Sequence, residues 1–160
     1  MKKNLSIGRA KWKKLGEDVA KRIVTRTKAG KGLDDDFAGY SAKYKKYKKK
    51  GGKKTRGESK GNLRFPRQTS FSETPDLTLT GDMLRDLQVR EVDNNGVSIG
   101  WEGAFAERVK HNAKNGREIT SKKKPLANTL AKYVNKQIEK LTKQKADKYY
   151  KKKQKIKVKL

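Results

Sequence analysis

The chain has 160 residues and a formal charge of +27, from 44 Lys and Arg against 17 Asp and Glu, and only 32% of it is hydrophobic. That length and composition support one modest core with solvated extensions, and a charge of this size repels itself in isolation, pointing to a polyanion or an acidic protein surface as the usual neighbour. The absence of cysteine excludes a disulfide framework and thiolate zinc sites, and no apolar run reaches the length of a secretory h-region or a membrane span, so a soluble chain with no membrane partner is expected.

The first predicted element is a helix from Ser6 to about Lys28, where Trp12, Leu15, Val19 and Ile23 recur at helical spacing and Gly30 and Gly32 supply the stop. Leu33, Phe37, Tyr40 and Tyr44 follow near the same spacing and predict a short aromatic element with a turn of helix, weakened by Gly39. Residues 1–44 thus form the first part of a folded body. Residues 45–70 read KKYKKKGGKKTRGESKGNLRFPRQTS, with too few apolar side chains to offset the entropy of ordering them. A flexible basic loop is predicted there, either disordered or ordered by a partner, and Lys45, Lys46, Lys48, Lys49, Lys50, Lys53, Lys54 and Arg56 are its candidate contacts to phosphate or to an acidic partner.

Residues 71–109 have the opposite character, with eight acidic residues against three arginines and no lysine. Leu77 and Leu79 alternate with Thr78 and Thr80 as a strand would; Met83, Leu84 and Leu87 suit one helical turn. QVREV and GVSIGW, joined by Asp93-Asn94-Asn95-Gly96, predict a β-hairpin with Val89 and Val92 facing Val97, Ile99 and Trp101, and Asn-Gly favours a tight primed turn. Phe105, Ala106 and Val109 open a short helix ended by Asn115-Gly116, and Pro125 is placed to start a last helix carrying Leu126, Leu130, Tyr133, Val134, Ile138 and Leu141 on one stripe.

The body therefore extends over 71–144, and 145–160 is a basic C-terminal extension. Lys151, Lys152 and Lys153 are further candidate anion contacts, after which the strict alternation of Lys-Ile-Lys-Val-Lys-Leu fits either a strand that docks on a neighbouring subunit, with Ile156, Val158 and Leu160 on one face, or a frayed tail in a free monomer. The expected core packs Trp12, Leu15, Val19 and Ile23 against Leu130, Val134, Ile138 and Leu141, over a sheet face carrying Leu77, Leu79, Val97, Ile99 and Trp101. The fold class is α+β: a small antiparallel β-sheet packed by an N-terminal helix and a long C-terminal helix, with a long basic loop and a basic extension.

Residue chemistry offers no catalytic set. His111 is the only histidine, and with no cysteine beside it the usual zinc set is lacking. Asp34-Asp35-Asp36 lacks the spaced ligands and closing Glu of a calcium loop and reads as a cap on the following turn. The glycines form neither a phosphate loop nor a dinucleotide fingerprint, so neither a cofactor nor enzymatic activity is expected. Clustered lysines interleaved with Tyr44, Tyr47, Tyr149 and Tyr150 suit loose phosphate contact, while lysine in place of arginine argues against base reading.

The order of Phe37-Ala38-Gly39-Tyr40-Ser41-Ala42-Lys43-Tyr44, Asp76-Leu77-Thr78-Leu79-Thr80-Gly81-Asp82-Met83-Leu84-Arg85-Asp86-Leu87 and Val97-Ser98-Ile99-Gly100-Trp101 resembles the tailed-bacteriophage virion-morphogenesis and tail-completion family. That family has a Y-S-x-x-Y stretch, an L-T-x-T-G-x-M/L element before a short helix, and a hairpin followed by a helix ending near H-x-x-x-G. Phe105-Ala106-Glu107-Arg108 and His111 to Gly116 stand in those last places, and Lys124-Pro125-Leu126-Ala127-Asn128 resembles the family's R-P-F-L-G, with Lys124 in place of the arginine. The likeness runs in order over roughly 20–140, and the C-terminal extension has no counterpart in it. It implies a non-enzymatic structural subunit of the virion head–tail junction, a homo-oligomer in a ring that meets portal, neck or tail proteins and packaged DNA, assembled in the host cytoplasm. Composition alone fits a second class, a small basic nucleic-acid-binding protein of ribosomal or nucleoid type.

Overall fold

The computed structural model describes residues 7–49, 75, 77, 82–121 and 123–157, with side chains described to 46 in the second helix and to 148 in the last. Among the described residues, five helices and one hairpin make an α+β body: α1 Arg9–Lys28, α2 Ala42–Lys49, α3 Asp82–Arg85, β1 Gln88–Val92, β2 Val97–Gly100, α4 Gly103–Lys114 and α5 Asn128–Lys157. The two strands form an antiparallel sheet, and α1 and α5 pack against it and each other.

Helix α1 forms because its apolar residues gather on one side: Leu15, Val19, Ala20 and Ile23 are buried while Lys13, Lys14 and Lys21 are exposed. It stops at Gly30, whose φ of 75° is the left-handed conformation that lets Lys31 N–H reach back to the Arg26 carbonyl. Gly16 lies on the buried face, and a Cβ there would sit 2.6 Å from Val97 Cγ2 and 3.0 Å from Val89 Cγ2. The missing side chain is what lets the helix backbone approach the hairpin so closely.

The hairpin pairs Gln88 with Gly100, Val89 with Ile99, Glu91 with Ser98 and Val92 with Val97, and Arg90 is an extra residue between the second and third pairs. This bulge turns Val89 and Val92, three positions apart, toward the same side. The connection is an Asx turn in place of the expected primed turn: Asp93 Oδ1 accepts from the N–H groups of Asn95 and Gly96, both at 2.6 Å, and no positive φ occurs at Asn95 or Gly96. The aspartate side chain supplies the turn that Asn-Gly would otherwise make through backbone conformation.

The core joins Leu15, Val19, Ile23, Phe37, Met83, Leu84, Leu87, Val109, Ile119 and Leu130, with Trp12, Leu77, Ile99, Trp101, Tyr133, Val134 and Ile138 packed around it. The expected α1–α5 contact is thus present, Leu141 lying half-buried at its margin, while Leu79 falls outside the described residues.

Four expectations are corrected. Leu33, Phe37 and Tyr40 are buried without forming a helix: residues 31–40 run as an irregular strip against 116–119, where Leu33 N–H donates to the Glu118 carbonyl at 2.8 Å and Ala38 N–H to Gly116 at 3.0 Å. Helix α2 begins only at Ala42 and runs through Lys49, so the first part of the predicted loop is helical, whereas 50–74 lie outside the described residues. Leu77 has a φ of 53°, which rules out an extended strand through it. Pro125 precedes α5 by three positions, and the helix opens with Ala131 N–H bonded to the Ala127 carbonyl.

Candidate functional site

Residues from the stretch around Tyr40 and Ser41, from Leu77 and Met83, and from the helix carrying Glu107 to Asn115 line a groove of about 990 Å³, whereas Val97 to Trp101 and Pro125 lie elsewhere. One wall is the turn into α2. Ser41 caps that helix, its Oγ accepting from Tyr44 N–H at 3.2 Å, which places the rings of Tyr40 and Tyr44 4.8 Å apart. The Tyr40 hydroxyl accepts the N–H of Leu77 at 2.9 Å, and the Arg117 guanidinium lies over the Tyr40 ring while donating to the carbonyls of Ala38 and Gly39. The pattern of a tyrosine, a serine and a second tyrosine three residues on is therefore an architectural device: a buried anchor, a helix cap and a tilted ring contact.

The opposite wall is α4, held through Met83. Trp101 Nε1 donates to the Met83 carbonyl at 2.7 Å, and Asn112 reaches the Met83 sulfur at 3.7 Å. The helix ends at Asn115 with Gly116 at a φ of 69°, so the spacing from His111 to Gly116 reports a helix end. His111 is exposed and lines the same groove as Ser41, yet no hydrogen bond joins them, and among the described residues no cluster of His, Cys, Asp or Glu could hold a metal ion.

A charged clamp fixes the hairpin to both neighbouring helices. Arg90, in the bulge, donates to the Asp86 carbonyl and carboxylate at 2.7 and 2.8 Å and to the Gly100 carbonyl at 3.1 Å, and faces Glu102 at 3.3 Å. The Asp86 carboxylate also accepts the Glu102 N–H at 3.0 Å. That backbone donor, followed by Arg90, holds the Asp86 carboxyl below its ordinary range. A second polar knot ties α1 to α5: Tyr133 Oη donates to Asp18 Oδ2 at 2.5 Å, Arg22 Nε donates to the same oxygen at 3.0 Å, and the guanidinium stacks 3.8 Å from the Tyr133 ring. The Asp18 carboxyl is lowered, first by the tyrosine hydroxyl and then by Arg22, while the tyrosine is raised by the same bond.

The basic residues divide between helices. Lys45, Lys46, Lys48 and Lys49 lie on α2, and Lys151, Lys152 and Lys153 on the last turns of α5; Lys50, Lys53, Lys54 and Arg56 lie outside the described residues. The docking strand is corrected in part: the backbone is helical through Lys157, so Ile156 sits on a helix and the two-residue alternation does not hold there, because the run of lysine-rich helix formers continues α5. Val158 and Leu160 lie outside the described residues. Two of the aspartates at 34–36 face lysine: Asp36 pairs with Lys31 at 2.7 Å and Asp34 with Lys124.

The Arg90 clamp, Arg117 and Gly16 were missed in the sequence. Gly16 left one signal, a glycine between Leu15 and Val19 on the apolar side of a helix; Arg117 left none, since its hydrogen-bond partners are backbone carbonyls, and Arg90 left only its spacing of four from Asp86. In comparisons with protein families, curated proteins and solved structures, no match to this chain was found.

Proposed function

We propose that this chain is a non-enzymatic structural subunit of the head–tail junction of a tailed phage, repeated around a ring as a neck, connector or tail-completion component. The observation that carries the reading is the convergence of separated segments: the stretch around Tyr40 and Ser41, the turn at Met83 and the helix ending at Asn115 line one groove. In each, the residues of the likeness serve as caps, anchors and helix ends, which is what a rigid building block requires. The division of charge supports the same reading. A lysine-free segment over 71–109 sits within a chain of +27, so the acidic hairpin region of one copy complements the basic helices of the next and favours register in a ring.

On this reading the chain resides in the virion, after assembly in the host cytoplasm, with portal, neck or tail proteins as neighbours. Immunogold electron microscopy of virions from cells that express the chain, with sedimentation of the purified protein, tests it. Label on the particle axis between head and tail, together with a closed oligomer, is the expected result. Co-sedimentation with ribosomes, or a dispersed monomer along DNA with no axial label, refutes it in favour of the nucleic-acid-binding class.

A further inference from the structure

The outer side of the α1–α5 packing holds a cleft of about 470 Å³ away from the motif-lined groove. Lys11, Lys14 and Lys21 line it from α1, at spacings that put them on one face of that helix, and Lys140 lines it from α5 between Gln137 and Gln144. Two carboxylates reach the cleft, Glu17 and Asp18. Asp18 is occupied by Tyr133 and Arg22 at 2.5 and 3.0 Å, which leaves Glu17 as the opposing charge. None of the four lysines makes an ion pair among the described residues.

We propose that this cleft seats the phosphodiester backbone of duplex DNA. Lys11 and Lys21 are ten residues apart on a straight helix, about 15 Å, which matches about four base-pair rises of one strand. The lysines act as point charges on phosphates along that strand, and the Gln137 and Gln144 amides are further donors in the cleft, a chemistry that tracks the backbone without reading bases. The knot of Asp18, Tyr133 and Arg22 fixes the two walls at one separation, so the cleft does not have to be built when DNA arrives. The site is distinct from the lysines of α2 and of the last turns of α5. It deepens the head–tail reading by naming the face that meets the genome, and it does not depend on ring formation.

The test uses the full chain and a fluorescein-labelled 25-base-pair duplex of arbitrary sequence, with anisotropy read across a salt series. The cleft variant is K14Q/K21Q/K140Q, and the control, K28Q/K114Q/K123Q, removes the same charge from exposed positions elsewhere. Counterion release predicts that the slope of log K against log salt becomes shallower by about 2.7 in the cleft variant, about 0.9 for each lost contact, and by less than one in the control. Equal changes in the two variants, or no duplex binding by the unmodified chain at low salt, overturn the proposal. Lysine footprinting with an amine-reactive ester gives a reading on the unmodified protein. Protection by the duplex of Lys14, Lys21 and Lys140 over Lys114 and Lys123 is expected, and uniform protection refutes it. Preference for an acidic peptide over the duplex by the same three lysines also refutes it. A chain that forms axial rings while the two triple variants behave alike loses this inference and keeps the structural role; cleft-specific binding without rings does the reverse.

Discussion

Replacing Gly16 by alanine sets two effects against each other. At an exposed site within a helix, Gly→Ala stabilises by about 1 kcal/mol, because glycine loses the most backbone freedom on folding. At Gly16 the added Cβ would meet Val97 Cγ2 at 2.6 Å, Val89 Cγ2 at 3.0 Å and Ile99 Cγ2 at 3.4 Å. All three partners are methyls of β-branched side chains, which are stiff at χ1, so relief requires the helix to move off the hairpin. Overpacking of this kind costs about 1–3 kcal/mol, and after subtracting the propensity gain G16A should lose about 1 kcal/mol of stability. Pairing it with V97A, which removes the closest methyl, should restore part of that loss, giving a coupling of about 0.5–1 kcal/mol. Urea unfolding of the four proteins of the cycle, followed by far-UV circular dichroism and by the fluorescence of Trp12 and Trp101, measures each quantity. A G16A protein more stable than the parent by about 1 kcal/mol, with no coupling to Val97, would refute the reasoning and show that the helix does not rest on the hairpin at that point.

Leu130 is 6% exposed within the core, and L130A should cost roughly 2–5 kcal/mol in the same assay; a loss near zero would mean that α5 does not dock through its first turns. The lowered carboxyls of Asp18 and Asp86 contribute stability that is present above their unfolded value of about 3.9 and is lost as pH falls through their folded values. D18N and D86N should therefore each flatten the acid limb of a plot of stability against pH below about pH 4, and an unchanged limb in both would contradict the bonds described. Removing the Ser41 cap with S41A should cost about 1 kcal/mol, visible as faster amide exchange over 44–46 with exchange in α1 unchanged. Uniform exchange in the two helices would deny the cap its local role.

Elements with a clear period were legible in the sequence. The stripe of Leu15, Val19 and Ile23 fixed α1, the alternating arms around Asp93–Gly96 fixed the hairpin, and Asn115-Gly116 marked the end of α4. Register was not legible, because the bulge at Arg90 shifts one arm by a residue and its reason lies in partners at Asp86, Gly100 and Glu102. Leu33, Phe37 and Tyr40 mimic a helical stripe although their segment is held by bonds from Leu33 to Glu118 and from Ala38 to Gly116, partners some 80 positions away that local spacing cannot announce. Ile119, with 1% exposure, is among the most enclosed side chains yet stands alone among polar neighbours. The apolar alternation at the C-terminus was overridden as far as Lys157 by the helical preference of the residues before it. The groove's motif residues could be picked out by their order, whereas the cleft between α1 and α5 needed two helices to be placed side by side.

The bulge at Arg90 also bears on how readily the hairpin pairs edge to edge with other chains. A two-stranded ribbon has an outer edge on each strand, and an edge of unpaired N–H and C=O groups is a template on which other chains can add and grow without limit. Arg90 interrupts the repeat that such a template needs, twists the ribbon locally, and occupies the Gly100 carbonyl with its own guanidinium. Shortening β1 by deletion of Arg90 would regularise the ladder and remove that guard together, turning a local irregularity into a route to fibres.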